Sequence, residues 1–330
     1  MRRAGENTRA VAAARADDFA AAVASLEGAA APEDVAGQAF ASGRAAFAAV
    51  TTTFLRGGTH VVAPAPGAGV LANVLARFGV SADFVDVTDL TRVRQAIKPT
   101  TKILYAETLA DPSTSVADIR SLYRIARQAG ALLVVDSTLA TPVVCRPLEH
   151  GADLVLHAAE ALLGGGDCAG GVVTGRPDLI GRLRRVCGDL GGSLSPAEAA
   201  RLCLGLGTLP LRVRRMCSTA MVFAAAIAKH PQVRHVGYPG LPGHPGHQLA
   251  RRLFDSGPEG TRFGTCVTVT PAGDAGVLVK GLRLAEPNPA PGGPRTRAVP
   301  LGDSVRFSLG LEDAEDLIAD VTRALDSLSV

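Results

Sequence analysis

At 330 residues and 47% hydrophobic, the chain is long enough to bury a large core and to divide into two domains. Its 34 basic and 31 acidic residues leave a net charge of +3, with no basic run or interleaved aromatic set, which argues against a nucleic-acid surface. No stretch is long and apolar enough to span a membrane, and the Met-Arg-Arg start lacks the apolar core of a signal peptide. Six scattered cysteines without a CxxC pair point to reduced thiols in a cytoplasmic protein.

The first predicted element is an alanine-rich helix over residues 10–31, with Phe19, Val23 and Leu26 on its apolar face. From about residue 40, short runs rich in Val, Ile and Leu alternate with helical patterns. Strands are predicted at 60–65, 82–87, 102–107, 131–138, 154–159 and 171–175, and helices at 70–79, 89–97, 116–130 and 177–187. Uninterrupted apolar strands separated by helices of this length imply a mainly parallel sheet covered on both faces. The helix ending at Gly130 has a Ser/Asp-rich start and a glycine stop. Ser195-Pro196-Ala197-Glu198 reads as an N-cap, a first-turn proline and an acid, opening a long helix that bends at Pro210 and runs to about His230. Beyond it, 264–270 and 304–309 read as strands and 313–328 as the last helix, a set suited to a smaller α+β domain. The segment 287–300, with five prolines and two glycines, is expected to lack regular structure. The domain plan is a shortened helical segment 1–40, a large α/β domain 41–210 and a C-terminal α+β domain 211–330.

Several stretches in this order carry a resemblance. Val134-Val135-Asp136-Ser137-Thr138 ends one strand, and His157-Ala158-Ala159-Glu160-Ala161-Leu162-Leu163-Gly164-Gly165 ends the next. Ala76–Val80 followed by Phe84–Asp89, the run 102–112, Tyr238–His247 and Ser304–Asp313 complete the set. Together they resemble the pyridoxal-phosphate enzymes of cysteine and methionine metabolism, the cystathionine synthase and lyase family. The resemblance implies a fold-type-I, aminotransferase-like α/β architecture with a smaller C-terminal domain, and assembly as a dimer or tetramer.

In that family the second strand reads His-Ser-Ala-Thr-Lys and the lysine holds the cofactor as an imine. Here the lysine position is Ala161, and a methyl group has no amine, so no catalytic residue is assigned. By the same resemblance Asp136 matches the aspartate that pairs with the pyridine nitrogen, and Ser42, Gly43 and Arg44 match a helix start that offers amides to the phosphate. All four are read as vestigial cofactor contacts. Arg306 matches the arginine that forks onto a substrate carboxylate, a retained anion site. The hydroxyls that flank the lysine are replaced by Ala158 and Glu160, the ring-side asparagine by Asp111, and the stacking tyrosine falls in the aromatic-free stretch 64–68. The N-terminal arm that reaches a neighbouring phosphate site has no counterpart after Thr8-Arg9-Ala10.

These losses lead to the expectation of no bound cofactor and of a pseudoenzyme: a homo-oligomer, or a structural or regulatory partner of an enzyme in a sulfur or amino-acid pathway. Two alternatives stay open. One is an enzyme repurposed for a small amino-acid-like substrate; the other is a pyridoxal-phosphate C–S lyase or synthase working by an unusual route. The four lysines (98, 102, 229 and 280) read as solvated surface. His244 and His247 at i, i+3 lack further ligands for a metal, and Cys168 lacks a histidine base. Glu107 and Asp111, a tempting carboxylate pair, read as structural.

Overall fold

Continuous apolar strands need cover on both faces, and the chain supplies it within the first of two units. The structure, a computed structural model, describes residues 16–28, 34–65, 68–166 and 168–329. The first unit holds the described residues up to Thr108 together with Ala117–Pro142 and Arg146–Gly207. The second holds Leu109–Val116, Val143–Cys145 and the described residues from Thr208 onward. Two short excursions of the chain thus belong to the second unit, a feature that a division into 41–210 and 211–330 lacks.

The first unit begins with α1 (residues 16–27), which buries Phe19 and Val23; the rest of the predicted 10–31 helix lies outside the described residues. Next comes β1 (Ala36–Phe40), a strand within the stretch 1–40 that was expected to be helical. It is followed by α2 (Gly43–Phe54), β2 (His60–Pro64), α3 (Ala68–Arg77), β3 (Ser81–Val85), α4 (Leu90–Ala96), β4 (Thr101–Glu107), α5 (Ile119–Ala129) and β5 (Leu132–Asp136). A short α6 (Thr141–Val144), β6 (Leu154–Ala158), β7 (Gly171–Gly175), α7 (Pro177–Leu190) and α8 (Pro196–Ile227) complete the series, with α6 passing into the second unit after Pro142 and α8 after Gly207.

The sheet runs β1-β7-β6-β5-β4-β2-β3. The five strands from β6 to β3 in that order pair in parallel, while β7 pairs antiparallel with both β6 and the edge strand β1. Phe40, Val50, Val61, Val134, Leu156, Val173 and Leu183 share one buried cluster, so strands, α2 and α7 are joined by apolar contact.

Local chemistry sets the helix ends. Asp118 accepts the Ser121 N–H at 3.1 Å and starts α5 at Ile119, three residues later than the predicted 116, because the chain before it turns aside through 109–116. Gly130 ends the same helix with φ 64°, where a glycine carries no Cβ penalty. Ser195 Oγ accepts the Glu198 N–H at 3.2 Å and opens α8, which runs past Pro210 without interruption and ends at Ile227.

The second unit contains β8 (Val233–Gly237), α9 (His247–Leu253), the two-residue strands β9 (Ser256–Gly257) and β10 (Gly260–Thr261), β11 (Cys266–Pro271) and α10 (Ala275–Gly281). Then come β12 (Glu286–Pro287), β13 (Arg297–Leu301), β14 (Ser304–Ser308) and α11 (Ala314–Asp326), with sheet order β12-β13-β14-β11-β8. The expectation of an irregular 287–300 holds for 288–296 and is corrected at its two ends, where Pro287 and 297–300 are strand. Arg297–Leu301 pairs with Ser304–Ser308 around a two-residue turn, with Gly302 at φ 65°. Pro300 removes one donor, yet its neighbours still fill the ladder, so composition alone misjudged the segment.

One close approach fixes the junction of β1 and α2. Gly171 pairs with Phe40 on one side and Ala158 on the other, and a Cβ there would fall 2.6 Å from the Ser42 carbonyl carbon and 2.8 Å from the Gly43 nitrogen. Backbone cannot yield as a flexible side chain can, so Gly171→Val is expected to cost about 3 kcal/mol. Gly188, exposed inside α7, has nothing within 4 Å of its Cβ position, and Gly188→Ala should add roughly 0.5–1 kcal/mol. Urea unfolding midpoints decide it: similar midpoints for the two variants would show that the Gly171 contact is soft.

Candidate functional site

Of the residues singled out in the sequence, Ser42, Gly43, Arg44, Glu107, Asp136 and 158–161 collect at the C-terminal ends of β4, β5 and β6 and at the start of α2, in the first unit, whereas Asp111 and Arg306 belong to the second. Strand register does the placing. Glu107 pairs with Asp136 across β4 and β5, and Asp136 with Leu156 across β5 and β6. The Asp136 carbonyl accepts the Thr108 N–H at 2.9 Å, which locks the end of β5. Ligands of open parallel sheets characteristically bind at strand ends of this kind.

Asp136 has both carboxylate oxygens engaged by its own chain. Oδ1 accepts the Thr138 N–H at 2.9 Å, and Oδ2 accepts the Tyr105 hydroxyl at 3.0 Å. Burial, with Asp136 next in weight, pushes the Tyr105 phenol well above its ordinary range, so it stays a neutral donor. Phe47 of α2 packs edge-on against the Tyr105 ring at 5.5 Å. Tyr105 was not among the residues picked from sequence. Its signal was there: it stands two residues before Glu107 on β4, on the same face by the two-residue period of a strand.

The helix start is likewise satisfied from within. Ser42 Oγ accepts the Ala45 N–H at 3.1 Å as the N-cap of α2, while Gly43 is buried and Arg44 is exposed. Gly43 lies so close to β6 that a Cβ on it would sit 2.6 Å from the Ala158 methyl. The Ala158 N–H donates to Thr138 Oγ1 at 2.8 Å. After β6 the chain turns through Ala159–Gly164, closed by Ala161 N–H to the Ala158 carbonyl at 3.2 Å and Gly164 N–H to the Ala159 carbonyl at 3.0 Å. Ala161 is 3% exposed, with Leu162 and Leu163 buried beside it. Glu160 is half-buried, and its Oε2 is buried without a hydrogen-bond partner.

All four lysines are exposed. Lys98 is tied to Asp83 at 2.8 Å. Lys102 lies at the opposite end of β4 from Glu107, five residues back, roughly 16 Å at the usual strand rise. Within the second unit Arg306 does not stand free as an anion fork. Its guanidinium is buried, paired with Asp111 and donating to the Pro289 carbonyl. Asp111 is therefore the partner of Arg306. His244 Nδ1 accepts the Gly246 N–H at 3.0 Å, while His247 Nδ1 donates to the Pro239 carbonyl at 2.8 Å. Among the described residues no group of three or more His, Cys, Asp or Glu is placed to hold a metal, and no helix is long and apolar enough to cross a membrane.

A second pair escaped the sequence reading altogether. His157 Nε2 and Glu27 Oε1 meet at 2.7 Å with both side chains 0% exposed. Glu27 sits at the end of α1, 130 residues away in sequence. Burial raises its carboxyl above the ordinary 4.5, against the opposing pull of His157.

The chain matches the family model described as Cys/Met metabolism PLP-dependent enzyme over residues 7–266. An L-methionine gamma-lyase of Pseudomonas putida is 38% identical over 342 residues, covering 92% of this chain and 81% of that protein. A canavanine gamma-lyase of Rhizobium leguminosarum bv. trifolii is 37% identical, covering 87% and 77%. A cystathionine gamma-lyase of Bacillus subtilis is 35% identical, covering 89% and 83%. Among solved structures, metB from Corynebacterium glutamicum superimposes with a TM-score of 0.86 at 32% identity, covering 93% of this chain and 83% of that one. The two proteins share the fold-type-I architecture.

Pyridoxal phosphate, the cofactor this likeness implies, can be tested against the residues present. Position 161 offers a buried methyl and no amine, and positions 158 and 160, where the resemblance calls for hydroxyl donors, offer a methyl and a carboxylate. Ser42 and Asp136 already have partners inside the chain. These residues do not fit a covalently held pyridoxal phosphate.

Proposed function

Because this chain belongs to the Cys/Met metabolism PLP-dependent enzyme family, we propose that it keeps the family scaffold, has given up covalent cofactor chemistry, and acts by association. The observation that carries this reading is Ala161, a buried methyl at the position where the resemblance calls for the lysine amine. Support comes from Glu160, whose carboxylate repels a phosphate dianion rather than gripping it. The association would be with a second copy of this chain or with an enzyme of a sulfur or amino-acid pathway. Leu204 and Leu211, seven residues apart on α8, are 79% and 71% exposed, and on this reading they are a place where a partner would dock.

The relatives favour a second reading. Their names are those of gamma-lyases of methionine, canavanine and cystathionine, at 38%, 37% and 35% identity. On that reading the chain binds pyridoxal phosphate without position 161 and is a C–S lyase by another route.

One experiment separates the two. The purified protein is mixed with pyridoxal phosphate, dialysed, scanned in the visible range, reduced with borohydride and mapped by mass spectrometry, with 2-oxo acid release from L-methionine, L-cystathionine and L-canavanine assayed in parallel. The first reading expects no retained band, no pyridoxyl-lysine and no release. A retained band with turnover would establish the second.

A further inference from the structure

The second unit holds one buried guanidinium whose partner is supplied from an unusual place. Arg306 lies on β14, an interior strand flanked by β13 and β11, where Val299 and Thr268 stand opposite it. Its side chain is 5% exposed, while that of Asp111 is 36% exposed, so the acid is the outward member of the pair. One terminal nitrogen meets Asp111 Oδ2 and the other the Pro289 carbonyl, and Nε is buried without a partner. The guanidinium is thus held by one oxygen of a carboxylate and one of an amide, rather than by the two-oxygen fork it is shaped for.

Asp111 is delivered by the excursion 109–116, which leaves the first unit's chain only to pair here. The Leu109–Val116 bridge and the Ala110 N–H to Ser115 carbonyl bond, 3.0 Å, close its base. Thr268 Oγ1 of β11 donates to the Pro112 carbonyl at 2.5 Å, directly beside Arg306 in the ladder. The turn is therefore anchored to the strand next to the guanidinium, which holds the carboxylate at a high effective concentration. A free carboxylate must displace this built-in one before it can reach Arg306.

We propose that Asp111 is a specificity-determining residue: an internal carboxylate that occupies Arg306 and keeps free carboxylate ligands off it. The consequence is that anionic ligands of this protein do not use Arg306 while Asp111 is in place. Asp111→Asn keeps the size and one acceptor oxygen, removes the charge, and leaves the guanidinium short of a counter-ion that a free carboxylate can supply. The idea is independent of whether pyridoxal phosphate binds, and it is tested without that cofactor.

The probes are acetate and L-norleucine, an amino acid with no group to eliminate, followed by thermal shift and calorimetry. Wild type should respond equally weakly with and without Arg306→Lys. Asp111→Asn should bind L-norleucine at least about tenfold more tightly than wild type, and the gain should vanish in Asp111→Asn/Arg306→Lys. If wild type already binds either probe and loses it in Arg306→Lys, the guanidinium is open and the proposal is overturned. No gain in a folded Asp111→Asn variant, or a gain that persists without Arg306, overturns it as well. Should Asp111→Asn fail to fold, the wild-type and Arg306→Lys comparison decides alone.

Discussion

Replacing Ala161 with lysine is expected to weaken the fold and to restore no activity. The Ala161 side chain is 3% exposed inside a turn held by two backbone hydrogen bonds, with Leu162 and Leu163 buried beside it. Four methylenes and an ammonium must either enter that space or force the turn open, a loss of about 3 kcal/mol. The acid next in sequence is Glu160, and an ammonium paired with it is not the neutral amine that attacks a carbonyl. Asp136 also remains engaged by Tyr105 and Thr138. Urea unfolding should show the lowered midpoint. 2-Oxo acid release from L-methionine, L-cystathionine or L-canavanine should stay at the buffer level. Turnover by Ala161→Lys alone would mean that the scaffold still held a working pocket.

The second large effect is expected at the Glu27–His157 pair. Both side chains are fully buried, so His157→Ala strands a buried carboxyl without the imidazole it meets at 2.7 Å; about 3 kcal/mol should be lost. Glu27→Gln fills the same volume, can still hydrogen-bond His157, and does not titrate. The pH dependence has a definite sign. Burial raises the Glu27 carboxyl above its ordinary 4.5, so its contribution is fully present below that value and is lost as pH rises through the raised one. Between pH 4 and pH 7 the stability difference should therefore move in favour of Glu27→Gln, by at most about 1.4 kcal/mol per pH unit. A difference that stays flat, or that moves toward the wild type, would show that Glu27 folds in its charged form.

Much of the fold was legible because it rests on local patterns. Apolar runs such as Leu132–Asp136 and Leu154–Ala158 have strand length and no polar alternation, and such runs are stable only with both faces covered. Ser195, Gly130 and Pro177 are punctuation that acts within a turn or two of the residue itself. The C-terminal end of the 287–300 segment was misread for the complementary reason. Proline and glycine content predicts what a segment prefers alone, whereas Arg297–Leu301 becomes a strand because β14 offers it a ladder.

The sequence by itself determined that positions 158 and 161 carry methyl groups and position 160 a carboxylate, and which family the motifs belong to, since identities and spacings need no coordinates. Only the tertiary structure decided who pairs with whom. Glu27 finds His157, and Arg306 finds Asp111 rather than standing open, across 130 and 195 residues respectively. Such pairs form where chain path and strand register bring distant polar groups together, and a buried polar group left unpaired is costly. Residue identity sets the chemistry available at each position; burial and proximity set which of it is left for a ligand.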